Sequence, residues 1–423
     1  MHVLPVVRAV GRQWLQSGKW TPAWIARHMP SKVSVKVSST SKSFMYSEEM
    51  QRHLLSDDKK LQTSSRLVEM TPSEMFDRMS NQAFSEQPEW MYFTCKCGDL
   101  SDQVLAAAED WKRLRVEPAL SDAVGSPEHP SVWIGGKGTS TTAHYDVMDN
   151  VFVQLHGRKR FRLWGANSAP ELHVFPDVHP RARKSQIEEI QELVKLCPPT
   201  EEIVLEPGDT LHLPAFTFHQ VEALDVSISV NLFSVCRTQM HGGRILSIPV
   251  PLLNAASMSK FKKNIDIGQV LLLLVDNILP IFGIEMASRD YIIRHLLETR
   301  HRTLAASMPP PPPPSSSSSP PPSSSSPPPS SSSLSENTIG MVNLNLDQHR
   351  IETLASWWKV MHQDMVASGH YTNPTEIDGV RDIIVSHLLE SWALQLNDGK
   401  PEKVHRTIES AAKAMHTIPV PGN

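Results

Sequence analysis

The chain has 423 residues, with 41 basic and 45 acidic side chains and a formal charge of −4. That length allows a sizeable core, in one large domain with extras or in two or three, and the balance gives no global field that would draw the molecule to nucleic acid. Four cysteines, Cys95, Cys97, Cys197 and Cys236, are too few for a disulfide scaffold, and Cys95-Lys96-Cys97 lacks the spacer and second pair of a zinc site. They fit reduced thiols in an intracellular protein, cytoplasmic or nuclear.

In chain order, the opening MHVLPVV is broken by Pro5 and too short for a signal-peptide core, while nearby arginines and a lack of acids leave a targeting segment open. Helices are expected around residues 14–28, 71–80 and 101–113. Short β-branched or aromatic runs then follow at 132–134, 151–155, 159–164, 202–205, 210–213 and 226–233, separated by turns such as Gly135-Gly136 and Pro207-Gly208-Asp209. This spacing points to an antiparallel barrel or jelly roll. An apolar helix near 266–284 and another at 287–304 come next. Asp276, Asn277 and Pro280 deny the former a membrane-length span, so it is expected to be a core or dimer-forming element, with no membrane as partner. Residues 309–333 contain only proline and serine, which bury no apolar surface and read as a disordered linker stiffened by its proline runs. Beyond it, Ile351, Leu354, Trp358, Met361 and Met365 form one helical stripe, and a further helix is expected at 379–396. The expected division is 1–240, a β core with N-terminal helices; 241–308, helical and suited to homodimerisation; 309–333, linker; and 334–423, a helical appendage of unassigned role.

The stretch HYDVMDN at 144–150 carries the chemistry. In a strand, residues i and i+2 share a face, so His144 and Asp146 can both reach one metal. The same H-x-D spacing at His362 and Asp364 lies in a helical pattern, where the two side chains diverge by about 200°. A third ligand is available after another strand, His219 in EPGDTLHLPAFTFHQV. Two histidines and one carboxylate leave positions open for substrates, as in non-haem Fe(II) oxygenases, although zinc and manganese accept the same donors.

Lys159 helps to choose. In LHGRKRFRLW, alternation puts Lys159 with Phe161 and Leu163 on the inward face and Arg158, Arg160 and Arg162 on the outward one. A buried ammonium needs an anion. A dicarboxylic acid chelating the metal at one end and meeting Lys159 at the other, the form of 2-oxoglutarate, supplies it, and the Thr141 hydroxyl is placed to donate to the same carboxylate. The outward arginines, with Arg181, Arg183 and Lys184, offer phosphate contacts to an RNA or make a solvated face. His173, His179 and His212 are expected to be structural or exposed.

The set T-x-x-H-Y-D, Asn150, the G-R-K-R strand, the HVFPDVHPRARKSQ insert at 173–186 and P-G-D-x-L-x-L-P…H resembles the JmjC or cupin-like 2-oxoglutarate/Fe(II) oxygenases, over roughly residues 12 to 300. Within that family HYDVMDN, the segment 19–46 and the helix near Asp290-Tyr291 are most similar to members that hydroxylate a wybutosine-type hypermodified tRNA base, whereas the insert is more similar to asparaginyl and lysyl protein hydroxylases. The resemblance implies a mainly β, double-stranded β-helix (jelly-roll) core with flanking helices and a helical C-terminal extension. It implies that His144, Asp146 and His219 ligate Fe(II), that Thr141 and Lys159 bind 2-oxoglutarate, and that Asn150 and Asn231 support that pocket. The expected activity is O2-dependent hydroxylation of a tRNA base. A protein hydroxylase and a non-catalytic binding module are the alternatives, though a module has no need to keep Thr141, His144, Asp146, Lys159 and His219 together.

Overall fold

The computed structural model describes residues 6–7, 18–44, 65–81, 88–108, 126–127, 130–252, 266–302, 346–371, 373–415 and 418. Among them, two sheets face each other. The larger runs in spatial order Val6–Val7, Thr210–Leu213, Asp149–His156, Ser227–Val235, Ser131–Gly135, Trp90–Lys96, Val33–Ser38 and Arg66–Met70, with Ser126–Pro127 also paired to Ser227–Val235. The smaller runs Glu201–Leu205, Lys159–Trp164, Phe218–Ala223, Ser140–Thr141 and Ser43–Phe44, with His144–Tyr145 also on Phe218–Ala223. Pairing is antiparallel except between Ser43–Phe44 and Ser140–Thr141. The result is the expected jelly-roll core. Alternation decides what fills it: Phe152, Leu211 and Leu213 from one sheet meet Phe161, Leu163, Ile203 and Leu205 from the other in one apolar cluster.

Two of the expected strands, 159–164 and 210–213, coincide with those found, three are longer by a residue or two at one or both ends, and that expected at 226–233 runs Ser227–Val235, starting one residue later and ending two later. Val33–Ser38, Arg66–Met70 and Trp90–Lys96 extend the larger sheet beyond the expected set. Val33, Val35 and Val37 are buried while Ser34 and Lys36 are less so, an alternation that is legible as a strand. The first helix is Pro22–His28, capped by Thr21 with Pro22 in its first turn. Pro72–Asn81 and Asp102–Ala108 follow, and these helices pack on the outer face of the larger sheet through Ile25, Met75, Met79 and Val104. The parts of the expected helices at 14–17 and 109–113, and the 309–333 linker, lie outside the described residues.

The apolar helix is Ile267–Ile278, capped by Asp266, and continues as a 3-10 turn Leu279–Phe282 around Pro280. Its apolar surface is met within the chain: Pro401–Ala414, a helix the periodicity reading had not separated, lies so close that a Cβ at Gly268 would come within 2.5 Å of the Ala411 nitrogen. Gln348–Ser368 buries the expected stripe of Leu354, Trp358, Met361 and Met365, with Ile351 half-buried. Pro374–Leu396 begins at Pro374 rather than at Gly379, because Asn373 caps it and Pro374 suits its first turn. These C-terminal helices share one core cluster with Tyr145, Trp164, Ile245 and Leu271, so the described part of 334–423 packs against the barrel. No helix among the described residues is long and apolar enough to cross a membrane.

Contact between barrel and C-terminal helices is tight at Gly379, where a Cβ would stand 2.2 Å from the Asn167 nitrogen and 2.4 Å from the Ala166 carbonyl carbon. Backbone cannot yield as a side chain does. Gly379→Ala is expected to destabilise the protein by about 1–3 kcal/mol in urea unfolding. Gly243→Ala, on a helix with nothing within 4 Å of the added Cβ, should be neutral or stabilising by up to ~1 kcal/mol. Equal effects at both positions would contradict the packing.

Candidate metal centre and the pocket beside it

His144–Tyr145 is a two-residue strand paired with Phe218–Ala223 in the register His144↔His219 and Tyr145↔Phe218. Residues directly opposite in an antiparallel pair project from the same face. The two imidazoles therefore sit side by side, ring centroids 4.3 Å apart. Asp146 falls on the same side of the chain as His144, and its Oδ2 is 3.6 Å from His219 Nε2. The three ligand atoms all lie within 4.8 Å of one another.

Each ring is held by its far nitrogen. His144 Nδ1 bonds the Thr142 carbonyl at 2.7 Å and His219 Nδ1 the Thr217 carbonyl at 3.1 Å. A carbonyl only accepts, so Nδ1 carries a proton and each Nε2 is the nitrogen left facing the other ligands. Burial, reinforced by the neighbouring His219, pushes His144 down to about 3, so it is neutral at physiological pH. The backbone carbonyl of Asp146 accepts from the Phe216 N–H at 2.7 Å, tying the ligand strand to the turn that precedes His219. Two imidazoles and a carboxylate without thiolate fit a divalent first-row ion. The other H-x-D pair does not converge: on Gln348–Ser368, Asp364 pairs with Arg237 and His241, at 3.3 and 3.2 Å, while His362 lies against Trp358.

The triad opens into a cavity of about 270 Å³ that is also lined by Thr141, Asn150, Lys159 and Asn231, with Phe152, Phe161 and Leu213 among its apolar walls. Lys159 is only 2% exposed. Its Nζ donates to Ser229 Oγ at 2.7 Å and stands 5.2 Å from the Phe152 ring centroid. No carboxylate among the described residues pairs with it, and burial pushes the ammonium down to about 7. Thr141 accepts the Val221 N–H at 3.1 Å, leaving its hydroxyl hydrogen to donate. The asparagines form a relay: Trp133 Nε1 donates to Asn231 Oδ1 at 2.7 Å, Asn231 Nδ2 to Asn150 Oδ1 at 3.1 Å, and Asn150 Nδ2 to Asp146 Oδ2 at 3.4 Å. They orient the acidic ligand as well as lining the cavity.

The structure thus brings together every singled-out site residue. It treats the arginines differently. Arg158 pairs with Asp225 at 2.8 Å, Arg160 with Glu202 at 3.2 Å, and Arg162 with Glu202 and Glu222 at 3.1 and 3.2 Å. Acids on flanking segments match this stripe, which leaves it a poor phosphate surface. Arg183 and Lys184, by contrast, line the cavity, because a bridge between His144 and Lys184 lays the insert beside the ligand strand. Sequence reading had grouped them with Arg181, which pairs with Glu188. Ser229 and Trp133 were missed as partners. Ser229 was visible only as part of the polar alternation Ser227, Ser229, Asn231. His179, stacked on Phe175, and His212, 1% exposed, are buried and structural.

Residues 5–233 match the model of a family described as a cupin-like domain. Over 108 residues the chain is 36% identical to tRNA wybutosine-synthesizing protein 5 of Danio rerio, covering 24% of this chain and 31% of that protein. The Gallus gallus protein of the same name is 31% identical over 130 residues, covering 27% and 39%. Lysine-specific demethylase 8 of Xenopus tropicalis is 29% identical over 118 residues, covering 24% and 24%. The chain therefore spans about a quarter to two-fifths of the length of these relatives. The family match takes in more than half of the 423 residues and all of the strands that carry the triad and Lys159, so the chain belongs to the cupin-like domain family.

Proposed function

We propose that the chain is a 2-oxoglutarate- and Fe(II)-dependent hydroxylase acting on a hypermodified, wybutosine-type tRNA base. One observation carries the reading: a His-Asp-His triad and a buried ammonium with no carboxylate partner among the described residues share one cavity. A ligand with two anionic ends meets both requirements at once. His144, Asp146 and His219 would hold Fe(II). When bound, the iron supplies dioxygen activation, coupling the decarboxylation of 2-oxoglutarate to succinate with hydroxylation of a substrate C–H bond.

The chain's own groups bind, orient and exclude water. Lys159 and Thr141 hold the far carboxylate of the co-substrate, with Ser229 fixing the ammonium. The relay from Trp133 through Asn231 and Asn150 fixes the Asp146 carboxylate. Phe152, Phe161 and Leu213 keep the cavity dry and so strengthen the ion pair. The tRNA substrate is supported by the relatives named for wybutosine synthesis. A demethylase among the relatives makes a protein substrate the reading to be separated from it.

Succinate release with Fe(II), 2-oxoglutarate and O2 tests the activity. His219→Ala should lose it beyond the ~10–100-fold typical of groups outside the ligand set, and a wild-type protein without turnover would point to a binding module. Nucleoside profiles of tRNA incubated with and without the protein test the substrate; succinate formation with an unchanged wybutosine profile would exclude the tRNA reading.

Lys159 gives a pH signature. Burial holds its ammonium at about 7 before the co-substrate binds, and an arriving carboxylate favours the charged form. Above that pH, binding of 2-oxoglutarate should take up a proton and weaken as pH rises. Below it the ammonium is already present and no uptake is expected. Calorimetry in buffers of different ionisation enthalpy measures this. Lys159→Met should abolish the proton uptake and weaken binding about 10–100-fold, as expected for loss of a charged hydrogen bond.

A further inference from the structure

We infer that His387, on the helix Pro374–Leu396, is a positioning residue for the metal centre, acting through Tyr145 to fix the segment 144–146 that carries two of the three ligands. The inference rests on the hydroxylase reading and extends it to a segment beyond the proline/serine stretch.

Tyr145 stands between His144 and Asp146, so strand alternation turns its side chain away from the cavity. It is 1% exposed and wedged between rings, 5.6 Å from Phe216 and 4.9 Å from Phe218, both next to or near His219. Its hydroxyl lies 2.9 Å from His387 Nε2, and His387 is itself 3% exposed. The polarity follows from the partners. The Asp177 Oδ1 carboxylate oxygen, 3.8 Å from His387 Nδ1, favours the tautomer with the proton on that nitrogen, in which Nε2 accepts from the phenol.

His387 is anchored in turn. One helical turn later, Glu390 is fully buried and takes a bidentate pair from Arg300 at 2.7 and 2.9 Å. The same carboxylate accepts the Asp177 N–H at 2.7 Å. Burial alone would raise the Glu390 carboxyl, but Arg300 outweighs it and holds the group ionised, well below its usual range. Glu390 thus fixes together the C-terminal helix, the end of the 289–300 helical segment and the insert that carries Asp177.

A buried tyrosine bonded to a histidine is commonly no more than a satisfied pair in a core. Here its place is unusual. The segment 144–146 is short: its backbone is held on its edges, by two register pairs with Phe218–Ala223, the bridge to Lys184 and the Phe216 N–H, and Tyr145 is the side chain that pins its back. Partners outside the ligand set typically contribute 10–100-fold to metal affinity.

The test uses the full chain with Co(II) as probe metal, reading the dissociation constant by calorimetry and the visible absorption band of the bound ion. His387→Phe, which keeps ring volume and removes the acceptor, is expected to weaken Co(II) about tenfold and alter the band. His387→Gln, which restores an acceptor near Nε2, should recover both. Tyr145→Phe should reproduce His387→Phe, and the double variant should be no worse than either single one. Should His387→Phe fail to fold, Tyr145→Phe carries the same expectation, because it leaves the helix untouched. Wild-type affinity and spectrum in His387→Phe or Tyr145→Phe would overturn the inference, as would equal losses in His387→Phe and His387→Gln that track the thermal midpoint. A wild-type protein that does not bind Co(II) saturably would overturn the hydroxylase reading and this inference with it, an outcome distinct from failure of the variants alone.

Discussion

The cross-strand register that sets His144 opposite His219 is the constraint on which the site depends. Strand side chains alternate with a period of two, so a slip of one residue would send His219 to the opposite face and leave Phe218 or Gln220 beside His144. The register is protected from several directions. Phe218–Ala223 is also paired along its length to Lys159–Trp164, whose inward residues are committed to the barrel core. Its first residues are fixed by the turn at Pro214 to Thr217, where Phe216 adopts a φ of 64° and its N–H is held by the Asp146 carbonyl. A non-glycine residue in the left-handed region costs free energy that the surroundings must offset. Here it lies between two of the ligands.

Two buried cations show how differently the fold treats charge. Arg300 is matched at once by Glu390, with both oxygens engaged and the Asp177 N–H and His301 Nε2 also against the carboxylate. That is the arrangement expected where the chain must hold its own parts together. Lys159 is at least as buried, yet has a serine hydroxyl and an aromatic ring for company. The first cation serves architecture. The second leaves an electrostatic demand that a small anion satisfies.

Much of this was legible in the sequence because it depends on periodicity and local spacing. Alternation in KRFRLW was enough to turn Lys159 inward, and the H-x-D spacing together with a strand assignment was enough to aim His144 and Asp146 at one point. The helical geometry of 348–368 disposed of His362 and Asp364. What escaped depended on contacts distant in sequence. Nothing near Tyr145 indicates that its partner lies on a helix at 374–396, and nothing near Arg158, Arg160 and Arg162 shows that Asp225, Glu202 and Glu222 will be their neighbours. Val33–Ser38 is a different kind of miss, since its alternating valines were a local signal left unused.

The burial of Ile267–Ile278 beneath Pro401–Ala414 also has a consequence for biogenesis. The apolar helix leaves the ribosome well before the element that covers it has been made. At about 5–20 residues per second, that interval is on the order of ten seconds. Throughout it a strongly apolar surface lacks its native cover, a natural target for chaperones that recognise nascent chains. The proline/serine stretch falls within this interval, so its translation rate would help to set how long the nascent chain stays vulnerable to aggregation.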